Sequence, residues 1–146
     1  MKERVFHCLG LECPNHCCGD FNGFSGRLTS LSGIDFTEII LTEKDKLRLE
    51  KASLNNLIVD NATGIFTIKT SEKGTCAALQ DGRCTIYEFR PAICRAFPLY
   101  LDFYVGLCVD KMCPAFDGQR NDDYKEALEN LIEVYSFWIN YYSKMI

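Results

Sequence analysis

The sequence predicts a small, irregular α+β domain centred on a metal, with short strands and helices and one long C-terminal amphipathic helix. Three observations predict it. Only residues 122–143 carry a long helical period, with apolar side chains at Tyr124, Ala127, Leu128, Leu131, Ile132, Tyr135, Trp138, Ile139 and Tyr142. The β-prone runs before it are short and broken by Gly, Pro and Asp-Gly steps. The third observation is the stretch from Cys8 to Cys18, which packs four cysteines into eleven residues with no apolar period. Such a segment cannot offset its ordering entropy by burying a face of its own, and a metal held by thiolates supplies the missing free energy.

The 146 residues suit a single domain over 1–146, and an apolar content of 47% is enough for a real core. A formal charge of −4 argues against a nucleic-acid footprint, which leans on clustered Lys and Arg. The opening MKERVFHCLG has charges but no apolar h-region. No run approaches the roughly 18 apolar residues of a membrane span. A cytoplasmic location is expected, where thiols stay reduced. Nine cysteines would also leave one unpaired in a closed disulfide framework.

Residues 1–20 form the cysteine loop, and 21–35, rich in Gly and Ser, read as a connection. Phe36–Leu41 is a plausible strand. Thr42 caps the following helix, with Asp45 three residues on as in a capping box; the helix is expected to reach about Leu54, with Leu47 and Ala52 facing inward. Leu57–Val59 and Ile65–Ile68 form a hairpin around Asp60–Gly64. Thr75–Leu79 and Asp81–Cys84 follow, with Asp81-Gly82 at the turn. Ile86–Arg90 and Pro91–Phe97 read as two short helical pieces, closed by Pro98. Tyr100–Cys108 is apolar and β-prone, interrupted at Gly106. The aromatic stripe of the last helix is assigned to core packing.

The cysteines fall in three groups: Cys8-x4-Cys13-x3-Cys17-Cys18, Cys76-x7-Cys84-x9-Cys94 and Cys108-x4-Cys113. Thiolate sulfur suits zinc and iron–sulfur clusters and disfavours magnesium and calcium. A tetrahedral site needs four ligands converging at about 2.3 Å for zinc–sulfur bonds. Adjacent Cys17 and Cys18 point to opposite faces of an extended backbone, which suits two metals, or a ligand and a neighbouring group, better than one small ion. The first and second groups are expected to serve a shared centre. His7 and His16 could replace a thiolate, although solvent-facing loop histidines are the simpler reading. Arg90 and Arg95, beside Cys94, are expected to offset thiolate or cluster charge, since nearby cations lower thiol pKa; Arg83 is neutral between that role and solubility.

Other assignments fail on spacing. The ferredoxin run C-x2-C-x2-C-x3-C-P, the radical C-x3-C-x2-C motif, paired C-x2-C knuckles, the Walker loop and GxGxxG are all absent.

Gly74, Cys76, Cys84, Ile86, Tyr87, Arg90, Pro91, Cys94, Arg95 and Pro98 follow the order G-x-C, Gly-containing loop, C-x-I-Y-x-x-R-P-x-x-C-R-x-x-P. In this the chain resembles the zinc- or iron-chelating cysteine-cluster family (CxxCxxCC, the YkgJ type). Ile40–Asp45 also fits, and the resemblance covers roughly residues 6–98 and the tail cysteines. The first block departs from it: the family has C-x2-C-x2-C-C, whereas the x4 and x3 spacers here are similar to the flagellin lysine-N-methylase group. No separate S-adenosylmethionine motif accompanies that likeness, so it extends to metal ligands and not to methyl transfer.

The resemblance implies eight ligands. Seven map directly, Cys8, Cys13, Cys17, Cys18, Cys76, Cys84 and Cys94. The eighth is Cys108 or Cys113, and Cys113 is preferred because Cys113-Pro114 begins a turn. The implied cofactor is zinc or an iron–sulfur cluster. Two functions follow: a metal protein supporting redox or protein-modification chemistry, with a protein substrate, or a zinc-stapled interaction module with a protein partner. No catalytic residue is assigned, and neither nucleic acid nor membrane is expected as a partner.

Overall fold

A computed structural model describes residues 4–5, 30–34, 38–61, 64–72, 75–110 and 122–146. In chain order the elements are β1 (Arg4–Val5), β2 (Ile40–Leu41), α1 (Glu43–Lys51), β3 (Ile58–Asp60), β4 (Phe66–Ile68), β5 (Leu79–Gln80), β6 (Arg83–Cys84), α2 (Ala92–Ala96), β7 (Leu99–Asp102), β8 (Gly106–Val109), β9 (Asp122–Asp123) and α3 (Lys125–Ser143). Single 3-10 turns at Asn55–Leu57 and Tyr87–Phe89 join them. Short strands in small sheets beside helices make this an α+β chain. Its residues group into two compact units, Asn15–Pro91 and Met1–Pro14 with Ala92–Ile146.

In the 15–91 unit, α1 starts where its capping residues dictate. Thr42 Oγ1 accepts from the Asp45 backbone N–H at 3.3 Å, and Asp45 Oδ2 accepts from the Thr42 N–H at 3.0 Å. Two otherwise orphaned donors are thereby satisfied. Asp45 is only 1% exposed, and its second oxygen accepts from Arg48 Nη2. A buried carboxylate would be costly without the two bonds its oxygens accept.

The helix ends three residues before the expected Leu54. Ser53 sits at φ +60, in the left-handed region. Its N–H reaches Glu50 O at 3.0 Å, and the Leu54 N–H reaches Leu49 O at 2.9 Å. These are the two closing bonds of a Schellman motif, with serine where glycine is usual. Leu49 and Leu54 then pack in the same cluster. Leu47, expected inward, is 52% exposed; Asp45 and Leu49, one turn apart, take the inward positions instead.

Of the expected strand at 36–41, Ile40–Leu41 is strand, as β2, while 38–39 are not and 35–37 lie outside the described residues. β3 and β4 form the expected hairpin, pairing Ile58 with Ile68 and Asp60 with Phe66, and β2 adds antiparallel to β4. Asn61 steadies the loop: its side-chain amide donates to Ile65 O and Thr67 Oγ1. The β5–β6 hairpin turns on Asp81 at φ +51 and Gly82 at φ +73. Two consecutive positive φ values match a type I′ turn, whose twist suits a two-residue hairpin. Leu41, Leu49, Ile68, Cys76, Ala78 and Ile86 form the core of this unit.

In the other unit α2 and the start of β7 pack against α3 through Ala96, Leu99, Ala127 and Leu131, with Val109, Tyr124 and Tyr135 alongside. α3 begins at Lys125 rather than at the expected 122, because Asp122–Asp123 pair with β1 as β9. Its apolar arc is wider than what is covered: Ile132 and Ile139 remain mostly exposed. Phe137, Trp138, Tyr141 and Tyr142 stack on one another towards its end.

Tyr100–Cys108 is two strands rather than one. β7 and β8 pair antiparallel from Leu99–Val109 to Asp102–Gly106. The chain turns at Phe103–Val105, where Asp102 Oδ1 accepts from the Tyr104 N–H at 2.8 Å and the Val105 N–H at 3.1 Å. Gly106, at φ +85, is thus the residue that re-enters the sheet. Tyr135 reaches across from α3; its hydroxyl donates to Leu101 O at 2.8 Å and accepts from the Leu101 N–H at 3.2 Å. β1 and β9 pair in parallel, Arg4 with Asp122. Among the described residues no helix is long and apolar enough to cross a membrane.

Candidate metal centre

Cys76 enters the core through an isolated bridge to Thr70, and the Ala77 N–H donates to Lys69 O at 2.8 Å. Its side chain is 7% exposed. Cys84 closes β6 opposite Leu79 and packs at the rim of the same cluster. The next residue locks it there, since the Thr85 N–H and hydroxyl both donate to Ala78 O at 2.8 Å. The Asp81-Gly82 turn therefore brings two cysteines, eight positions apart, to one apolar cluster.

The walls of that cluster are Leu41, Leu49, Ile68, Ala78 and Ile86. Apolar walls disfavour a bare thiolate and favour either a neutral thiol or a thiolate bound to a cation. No disulfide joins Cys76, Cys84, Cys94 and Cys108 to one another. The donors are soft, which fits zinc or iron and not magnesium or calcium.

Cys94 lies on α2 in the other unit, between Ala92 and Ala96, which are 0% and 2% exposed. Cys94 itself is half-buried. Arg95, next to it, meets Glu126 of α3 at 3.3 Å. Arg90 turns back on its own segment: its guanidinium lies 3.9 Å from the centre of the Tyr87 ring, and Nε donates to Tyr87 O at 3.0 Å. Arg95, expected to balance thiolate charge, thus engages a carboxylate, and Arg90, expected to do the same, engages Tyr87. Glu126 is a partner that spacing could not reveal, because it lies 31 residues from Arg95.

Cys108 stands on β8 across from Tyr100, with its Sγ donating to Gly106 O at 3.4 Å. The negative charge of its thiolate, together with desolvation, pushes the Tyr100 phenol above its ordinary 10.0.

Among the described residues no group of three or more His, Cys, Asp or Glu converges as a metal site. Cys76 and Cys84 alone cannot complete a four-coordinate centre. The expected ligands Cys8, Cys13, Cys17, Cys18 and Cys113, and the alternatives His7 and His16, lie outside the described residues.

The family model CxxCxxCC, described as “Putative zinc- or iron-chelating domain”, matches residues 7–130. The chain belongs to this family. No curated protein and no solved structure matches the chain. The CxxCxxCC match spans every cysteine from Cys8 to Cys113 and runs into the first turns of α3.

Proposed function

We propose that this CxxCxxCC chain holds zinc or an iron–sulfur centre through the thiolates of Cys8, Cys13, Cys17, Cys18, Cys76, Cys84, Cys94 and Cys113. The observation that carries the reading is the placing of Cys76 and Cys84 in one apolar cluster by a tight hairpin. A hairpin that delivers two thiols to low-dielectric surroundings, with no disulfide between them, supports metal ligation over surface redox chemistry. Arg90 and Arg95 contribute cationic charge close in sequence to Cys94. When bound, iron would supply electron transfer or an activated group for protein modification, whereas zinc would supply a redox-inert staple.

A second reading, a zinc-stapled interaction module, is favoured by the exposed hairpin tip at Phe103, Tyr104 and Val105. Anaerobic purification followed by metal analysis and a visible spectrum tests both. Iron with thiolate-to-metal absorption supports the redox reading, and stoichiometric zinc with a featureless visible spectrum supports the module. A protein carrying neither metal, whose melting ignores chelator, overturns the metal role.

A further inference from the structure

Cys76 and Cys84 sit on different pieces of backbone, and one carbonyl joins those pieces. Cys76 opens a turn that closes where the Leu79 N–H donates to Cys76 O at 3.0 Å. The Ala77 N–H ties this turn to Lys69 O at 2.8 Å. Ala78, inside the turn, is 1% exposed. Its carbonyl takes two donors from a single residue, the N–H and the hydroxyl of Thr85, each at 2.8 Å. Thr85 directly follows Cys84. Cys84 is therefore held on one side by its pairing with Leu79 above the Asp81-Gly82 turn, and on the other by the grip of Thr85 on Ala78.

The two bonds to Ala78 make different demands on the sequence. Any residue except proline supplies the N–H, whereas the second bond needs a side-chain donor of threonine or serine length. A carbonyl oxygen has two lone pairs, and the hydroxyl fills the second. Thr85 is itself exposed, so its side chain adds little to the apolar core. What the hydroxyl adds is stiffness between the turn that carries Cys76 and the strand that carries Cys84. β5 and β6 pair over only two residues each. A two-stranded ladder is marginal on its own, so one further bond at its open end weighs more here than in a broad sheet.

We propose that Thr85 is a positioning residue for the metal centre, its hydroxyl holding the Cys76 and Cys84 thiols in the relative placement that a common ion requires. The inference rests on the reading above, in which both cysteines are ligands. Ligands fixed before the ion arrives lose less freedom on binding, so affinity rises without contact between Thr85 and the metal. Groups that orient metal ligands change affinity about 10–100-fold when removed, and a bond that acts through backbone belongs at the lower end, about 10-fold.

Thr85→Val keeps the side-chain volume and removes the hydroxyl, while Thr85→Ser keeps the hydroxyl. Zinc affinity of the full chain is read by competition with a chromophoric chelator, and cobalt(II) exchanged into the same site reports the ligand geometry through its visible bands. Thr85→Val is expected to bind zinc about 10-fold more weakly and to shift the cobalt bands. Thr85→Ser is expected to return both to the wild-type values. Asp102→Ala, a turn-breaking change in the β7–β8 hairpin, is expected to leave both unaltered. If Thr85→Val does not fold, Thr85→Ala carries the same expectation. Wild-type affinity in the folded variant without the hydroxyl, a serine variant as weak as the valine one, or equal weakening by Asp102→Ala overturns the proposal. A wild type that binds no zinc overturns the metal reading and this inference with it, whereas a wild type that binds zinc no better than Thr85→Val overturns this inference alone.

Discussion

The β5–β6 and β7–β8 hairpins each carry one cysteine, and they hold it by different means. In β5–β6 the backbone of Asp81 and Gly82 forms the turn, and Cys84 faces the apolar cluster that contains Cys76. In β7–β8 a side chain forms the turn, with Asp102 gathering two N–H groups, and Cys108 lies across from Tyr100 on the second strand of a two-stranded sheet. Thiols on hairpins are thus not equivalent. Surroundings, more than the spacing to the next cysteine, separate a thiol packed against a core from one on a small exposed sheet.

Removing the two thiols in turn is the sharpest way to break this contrast. Cys84→Ser is expected to lower metal stoichiometry and melting temperature together, because structural metal binding contributes about 10–16 kcal/mol in peptide hosts. Cys108→Ser is expected to keep both. Metal analysis and thermal melts of the two variants check this, and equal losses would put both thiols in one class.

The turns come next in size. Gly82→Ala places a Cβ at φ +73 and is expected to cost about 1–2 kcal/mol. Asp102→Ala removes one acceptor from two solvent-exposed amides and is expected to cost about 0.5–1.5 kcal/mol. Urea denaturation measures both, and the alanine at 82 is expected to affect metal retention while the one at 102 does not.

The smallest effect is a titration. With Cys108 replaced by serine, the Tyr100 phenol is expected to fall back towards 10.0, since its main cause of elevation is gone. A raised folded pKa favours the protonated phenol in the folded state, so its contribution is complete below pH 10.0 and is lost as pH rises through the higher folded value. Ultraviolet difference titration against Tyr100→Phe, with and without Cys108, follows the shift.

Local rules were legible wherever one side chain or one dihedral decides the outcome. Thr42 and Asp45 announce the start of α1, Asp81-Gly82 announces its hairpin, and the period of 124–142 announces α3. The misses have physical causes. Helical spacing defines an arc but not which part of it meets a neighbour, so Leu47, Ile132 and Ile139 are exposed although apolar. Phe103–Val105 contains none of the usual turn formers, and its turn depends on a carboxylate one residue upstream. For the metal centre, spacing marked Cys76 and Cys84 as ligands, while their common apolar cluster required contacts between β2, α1, β4 and the hairpin. The proposed convergence of the other thiolates is a long-range property that local spacing cannot encode.

The Tyr135 hydroxyl, which occupies both outward groups of Leu101, also closes the β7 edge at that residue. A strand edge whose amide and carbonyl are already bonded offers no template to another chain. A single phenolic oxygen on α3 thus does for Leu101 what a neighbouring strand would otherwise do.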